Sequence, residues 1–401
     1  MKKWLALLIC ISMTAAMLAG CGTASSGTGS SSSSSQKTSG KTKVGVIYIG
    51  DENDGYTASH MAGIASMKKT LGLSDDQVIE KTNIPESEEC YDAAVDLADQ
   101  GCTVIFSTSF GHEDFLIQAA AEYPDIQFCA VSGYQAASSG LKNMHNFYTK
   151  ISEARYVSGV AAGMKLKAMI DEGKITADNA KLGYVGAFPY AEVISGFTAF
   201  YLGAKSVVSS ATMKVLYTNS WGDASLEKEA ANSLIGDGCV LISQQANTTG
   251  APSACETAGI PVVGYNIDMR SVAPTCALTS PTNYWGVGYA DFVKTVESGE
   301  NPAVDKAYGL ADDAVGVTEP GTACAEGTQA KIDETIAGIK NGTIHIFDES
   351  MLTVGGKSMK DMNYKIGDKD YTKYFSNGYF HEGEIGSTPA FDIIIDGVTV
   401  Q

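Results

Sequence analysis

The side chains in this sequence best placed for chemistry are aromatic and amide groups set in polar loops, and the chemistry they offer is recognition. In KVGVIYIGDENDGYTASH, Tyr56 follows Gly55 at the end of a polar run, with no apolar neighbour to pack it. Such a ring is available to stack on a planar ligand, a contact worth roughly 1–3 kcal/mol per base-sized ring. Trp221 stands between Ser220 and Gly222 where a strand is expected to end, as a second plate or as an indole that only packs a turn. Asn266 and Asp268 close the apolar stretch GIPVVGYNIDM, where a polar side chain has few structural duties besides capping. Gln244 and Gln245 follow the strand-like VLIS, and a carboxamide presents both donor and acceptor to a heterocycle edge. His60, one turn into the helix after Tyr56, reads as a partly exposed neighbour of the helix start, and Tyr284 and Trp285 as packing or hinge groups.

Reaction chemistry has little support. No GxSxG, CxxC, HxxH or HExxH occurs, and no paired carboxylates stand at helical spacing near the proposed site. Gly355-Gly356 precedes a lysine without Walker spacing. Neither a catalytic residue, a metal nor a cofactor is expected. With 28 Lys and Arg against 46 Asp and Glu, a formal charge of -18 and a pI near 4.6, the chain is a poor partner for nucleic acid, which needs a basic face.

The elements that must position these groups alternate regularly. Strands are expected at 44–49, 78–82, 103–107, 127–131 and 143–149, with helices at 57–71, 87–100, 113–123 and 152–167 between or after them. Thr57 is the expected cap of the first helix and Gly72 its stop. The same alternation restarts with strands at 182–185, 214–218, 240–243 and 261–265 and helices at 193–207, 225–237 and 252–258. This pattern predicts an α/β fold of two lobes, each a doubly wound parallel sheet flanked by helices, with ligand at the carboxyl edge of the strands. Two such lobes on an exported chain describe a solute receptor that closes by a hinge. The expected boundaries are 42–148 plus a return segment at about 284–320 for the amino-terminal lobe, and 149–283 plus about 321–401 for the other.

Residues 1–20 carry Lys2, Lys3 and a short apolar run, and are expected to be a signal peptide. Leu18-Ala19-Gly20-Cys21 resembles the lipobox of bacterial lipoproteins, which implies cleavage before Cys21 and acylation, palmitate included, at its new amino terminus. Each buried methylene then adds about 0.8 kcal/mol to membrane attachment. The alternative is a secretion signal cut elsewhere with Cys21 unmodified. Residues 22–41 are dominated by Ser, Gly and Thr and read as a tether, of mean reach roughly 25 Å. Of the remaining cysteines, Cys102, Cys129 and Cys239 fall in or beside apolar runs and read as buried thiols, while Cys276 is open to pairing with Cys324 or Cys255.

Seven stretches, in order over about 43 to 300, resemble the basic membrane protein family of lipoproteins: GDENDGYTASHMAGI, STSFGHEDFLIQAAAEYPDIQF, NFYTKISEARYVSGVAAGM, LGYVGAFPYAEVISGFTAFYLGAKSV, YTNSWGDASLEKEAANSLIGDGCVLISQ, GIPVVGYNIDMRSVAP and LTSPTNYWG. The resemblance implies a type I periplasmic-binding-protein-like fold and an ABC importer's substrate-binding component, lipid-anchored on the extracytoplasmic face of the cell membrane. It implies a purine nucleoside or base held between rings of the two lobes, with a permease as partner. Carried over, the ring falls at Tyr56, the polar residue ahead of it at Asn53, and further contacts at Ser109, Phe110, Trp221, Asn266 and Asp268; Phe188, where the AFPYAE loop meets a helix, and Gln244, at the end of its strand, are candidate contacts by their placement in the chain. Members of the family tend to carry Asp where Asn53 and Asn266 stand and Lys at Asn283, so the grip on the ribose is altered and a free base is as open as a nucleoside. A nucleoside-processing enzyme on the same scaffold, or a sensory or adhesive lipoprotein with a non-purine ligand, are the alternatives.

Overall fold

The computed structural model describes residues 42–401; the expected signal peptide, lipidation site Cys21 and tether lie outside the described residues. Six parallel strands form one sheet in the order Asp305–Tyr308, Met144–Thr149, Gln127–Val131, Val104–Ser107, Val44–Ile47, Val78–Lys81. A second parallel sheet runs Val398–Val400, Thr212–Tyr217, Lys181–Gly186, Leu241–Gln245, Val262–Val263. Helices cover both faces of each sheet, so the central strands are apolar without alternation: VGVI and VIFS are buried at every position.

In both sheets the strand order reverses beside the first strand of the lobe, between Val44–Ile47 and Val104–Ser107 and between Lys181–Gly186 and Leu241–Gln245. The loops that leave the carboxyl ends of these strands diverge and leave a crevice. Loops 48–54 and 108–112 open into one such crevice, loops 187–190 and 246–249 into the other.

The chain crosses from the first sheet to the second after Thr149, returns before Asp305 and crosses again before Val398. Helices Ile151–Asp171 and Ala191–Val207 bring their backbones together through glycine. A Cβ on Gly159 would lie 2.0 Å from the Phe200 carbonyl oxygen, and one on Gly203 2.1 Å from that of Tyr156. Helix Thr328–Lys340 sends Ile332 into the apolar cluster of the first sheet, although its position in sequence placed it with the second lobe.

The first helix starts earlier than expected, Gly55–Leu71, because Asp54 and not Thr57 is its cap: the Asp54 carboxylate accepts the Thr57 amide at 2.9 Å. Beyond 350, three short hairpins and a terminal strand fold onto the second sheet, with Leu352, Met359, Tyr371, Phe380, Phe391 and Ile393 in its core. The seven described cysteines are all free thiols, so the possible Cys276 pairings are not made. Cys324 instead donates to the Leu278 carbonyl at 3.3 Å.

Candidate ligand-binding cleft

Where the two crevices face each other they enclose a cavity of about 80 Å³. The first lobe supplies Ile49, Gly50, Asp54 and Tyr56 from the end of one strand, Thr108, Ser109 and Phe110 from the next, and Ser132. Opposite stand Glu192, Trp221, Asn247 and Tyr265. Tyr56 and Trp221 thus line one space, although 165 positions separate them in the chain.

The Tyr56 ring is held from three sides. Its hydroxyl donates to the Thr108 carbonyl at 2.7 Å, and the edges of His60 and Trp285 meet it at 4.5 and 6.1 Å. Behind it His60 stacks on Trp285 at 4.2 Å, and the His60 Nδ1 lies 2.7 Å from the Tyr289 hydroxyl. His60 is therefore a buried core group and not the partly exposed neighbour expected; burial holds its pKa well below the usual value. Trp285 is completely buried and donates to the Ser59 hydroxyl at 3.0 Å. Trp221 leans its edge on Phe188, 5.2 Å away at 61°.

The polar lining is acidic and amide in character, and no Lys or Arg belongs to it. Asp54 uses one oxygen as the helix cap; its other oxygen takes the Asn247 side chain at 3.4 Å. Burial raises its pKa, against the hydrogen bonds to the Thr57 and Tyr56 amides. Glu192 accepts from Gln245 at 3.3 Å; burial raises its pKa as well, opposed by Tyr148, Gln245 and the Arg155 charge. Arg155 is buried beneath, 3.9 Å from the Tyr265 ring centre, and donates to the Gln244 carbonyl at 2.6 Å. Such a cavity suits an uncharged planar ligand with N–H or O–H donors, and repels anions.

Several expected positions lie elsewhere. Asn53 is exposed, its side chain turned back to Asp51 at 3.0 Å, and the wall position belongs to the next residue, Asp54. Gln244 is buried in the second lobe and donates to the Ala246 and Thr248 carbonyls, since it lies within the strand, not beyond it. Asn266, in a left-handed turn with φ +60°, accepts from Asn283, which in turn accepts from Thr149, so it joins the crossover between lobes. Asp268 is exposed, capping Met269–Ser271 and gripping Arg270 at 2.6 Å. Phe188 backs Trp221 without lining the cavity. Ser109 lines it, with its hydroxyl given to Glu86 at 2.6 Å, and Phe110 stands at its mouth, 42% exposed.

Glu192, Asn247 and Tyr265 carried no signal strong enough to single them out. Glu192 sits in the first turn of a helix, where acidic residues are common for their interaction with the helix dipole alone.

The family described as Bmp, ABC transporter substrate-binding protein PnrA-like, matches residues 41–350. A purine-binding protein of Brucella abortus is 32% identical over 311 residues, covering 77% of this chain and 83% of that protein. A putative ABC transporter glucose-binding protein of Haloferax volcanii is 31% identical over 254 residues, 63% of this chain and 60% of the other. Among solved structures, an ABC transporter solute-binding protein of Aeropyrum pernix superposes with a TM-score of 0.61 at 16% identity, over 76% of this chain and 93% of that one.

Proposed function

This chain belongs to the Bmp family of PnrA-like ABC transporter substrate-binding proteins, and from that premise we propose that it captures an uncharged purine nucleoside or purine base between Tyr56 and Trp221. The family binds solutes for transport and does not transform them. The observation that carries the reading is the shared cavity of these two rings, with a lining of carboxylates and amides and no cation. A base stacks on the rings; its N–H edge meets Glu192 or Asn247. Asp54 supplies a carboxylate one position after the place where Asn53 lacks one, which favours a nucleoside, whose vicinal hydroxyls it accepts, over a free base. A nucleotide is disfavoured, because its phosphate would enter without a basic partner.

The lipid anchor at Cys21 holds the receptor at the extracytoplasmic face, and the closed, loaded form docks on an ABC permease. The similarity to a glucose-binding protein keeps a sugar as the second reading. A thermal-shift and calorimetric series of adenosine, guanosine, inosine, adenine, AMP and glucose separates them. Ligand that binds only the folded state stabilises it by about 2.7 kcal/mol at a hundredfold excess over Kd. A shift with nucleosides and none with AMP or glucose is expected. A shift with glucose alone, or none with any purine, would overturn the reading.

A further inference from the structure

Outward from the inner cavity the cleft widens into a second chamber of about 650 Å³, and the two spaces share Phe110, Glu192 and Trp221. One wall of the outer chamber comes from Lys373, Ile385, Thr388 and Pro389. This wall lies beyond residue 350, where the family match ends. It is firmly seated: the Glu382 carboxylate accepts from the Ser195 hydroxyl at 2.5 Å and from the Phe391 amide at 3.1 Å, and Val398–Val400 completes the second sheet. From that base it reaches the opposite lobe. The Thr388 hydroxyl donates to the Gly133 carbonyl at 2.5 Å, and the Ser387 amide to Asp305 at 2.9 Å.

Facing the wall is a row of near-parallel rings. Tyr134 stacks on Phe110 at 5.4 Å and 17°, and Phe110 on Tyr190 at 6.2 Å and 23°, the last pair spanning the two lobes. Tyr134 is 58% exposed, Ile385 50% and Tyr190 49%. Large apolar groups left open and gathered in one recess mark a binding surface. The recess is walled by both lobes and the carboxyl-terminal segment and adjoins the inner cavity, so a single ligand can extend through both. Glu192 and Asp305 outweigh the single Lys373 along it, which disfavours an anionic group.

We propose that the outer chamber is a second ligand subsite, built by the segment beyond the family match, for an uncharged ring-sized substituent borne by the nucleoside whose base is plated inside. The inference rests on the purine reading above. The substituent stacks on the Tyr134 ring and packs against Ile385, while Tyr190, stacked between Phe110 and Phe188, offers its edge, and the carboxyl-terminal wall sets the size of ligand accepted.

Calorimetry on the full-length mature protein with adenosine, N6-benzyladenosine and 5′-O-benzoyladenosine tests it, the two attachment points covering either direction of the base. At least one of the two aryl-bearing ligands is expected to bind about tenfold more tightly than adenosine, the worth of one added ring stack. Tyr134→Ser and Ile385→Asp, two surface changes outside the inner cavity, should each erase that gain and leave adenosine within about twofold. Adenosine binding with no gain from either substituent, or a gain that survives both variants, would overturn the subsite and leave the purine reading standing. Absence of binding by all three would overturn both.

Discussion

Asn247 of the second lobe meets Asp54 of the first: its side-chain amide donates to Asp54 at 3.4 Å, while its carbonyl accepts the amide of Gly55 at 3.1 Å. The residue that caps the first helix is thereby also a latch that holds the two lobes together at one side of the cavity. Closure depends on Gly55 having no side chain, since a Cβ there would stand 2.9 Å from the Asn247 carbonyl.

Gly55→Ala should therefore hold the lobes apart. Overpacking at a contact of this kind costs about 1–3 kcal/mol, and the cost falls on closure, because only the closed form makes the contact. We expect ligand affinity to drop by about tenfold or more, with little change in melting temperature without ligand. Calorimetry and small-angle scattering with saturating ligand check this; unchanged affinity and a fully compacted complex would refute it.

Replacing Tyr56 or Trp221 with Ala removes one plate, and each should weaken the purine ligand by about 1–3 kcal/mol, roughly 5- to 150-fold in Kd. Tyr56→Phe keeps the ring and loses only the hydrogen bond to the Thr108 carbonyl, so its loss should stay near 1 kcal/mol. Equal losses for Tyr56→Ala and Tyr56→Phe would show that the ring face is not the recognised surface.

Binding should weaken on acidification. Burial raises the pKa of both Asp54 and Glu192, so they take up protons at a higher pH than ordinary carboxylates do, and a protonated carboxyl is a poorer acceptor for ligand hydroxyl and N–H groups. Kd measured as the pH falls from neutral should rise for the wild type and rise less for Asp54→Asn. Affinity that is flat with pH would place neither carboxylate on the ligand.

Glu227 gives a separate signature in stability. It is fully buried, one oxygen accepts from the Thr248 amide at 3.2 Å, and burial lifts its pKa from 4.5 to about 7. With the folded pKa above the unfolded one, its contribution is most favourable below about 4.5 and is lost as the pH rises through about 7. The loss is of order 3 kcal/mol at most. Glu227→Gln should match the wild type in urea unfolding near pH 4 and exceed it near pH 8. Carboxylates held low, such as Asp96 beside Lys81 and Asp237 beside Lys214, slope the other way, so the difference between variant and wild type is the quantity to read.

Tyr56 and Trp221 stand out in the sequence because each is an aromatic among polar and glycine neighbours at the end of an apolar strand; the expectation that Tyr56 lacks packing partners fails, since Tyr56 packs on the core of its lobe and Trp221 on the core of the other. Asn53 and Asp54 show the limit of that reading. Either could meet the cavity on spacing alone; the helix begins at Gly55, so Asp54 turns inward as the cap and Asn53 outward to Asp51. Gln244 misled for a related reason. The strand runs two residues further than its apolar part, and both glutamines are spent on buried hydrogen bonds within their own lobe.

Sequence by itself determined the alternating elements, the two parallel sheets and the aromatic residues at their edges, because hydrophobic periodicity and chain punctuation are local properties. Only the tertiary structure decided which polar groups line the cavity and what the residues beyond 350 build. Those depend on where helices begin to the residue, and on contacts such as Thr388 with Gly133, between parts of the chain whose separation leaves no mark in either neighbourhood.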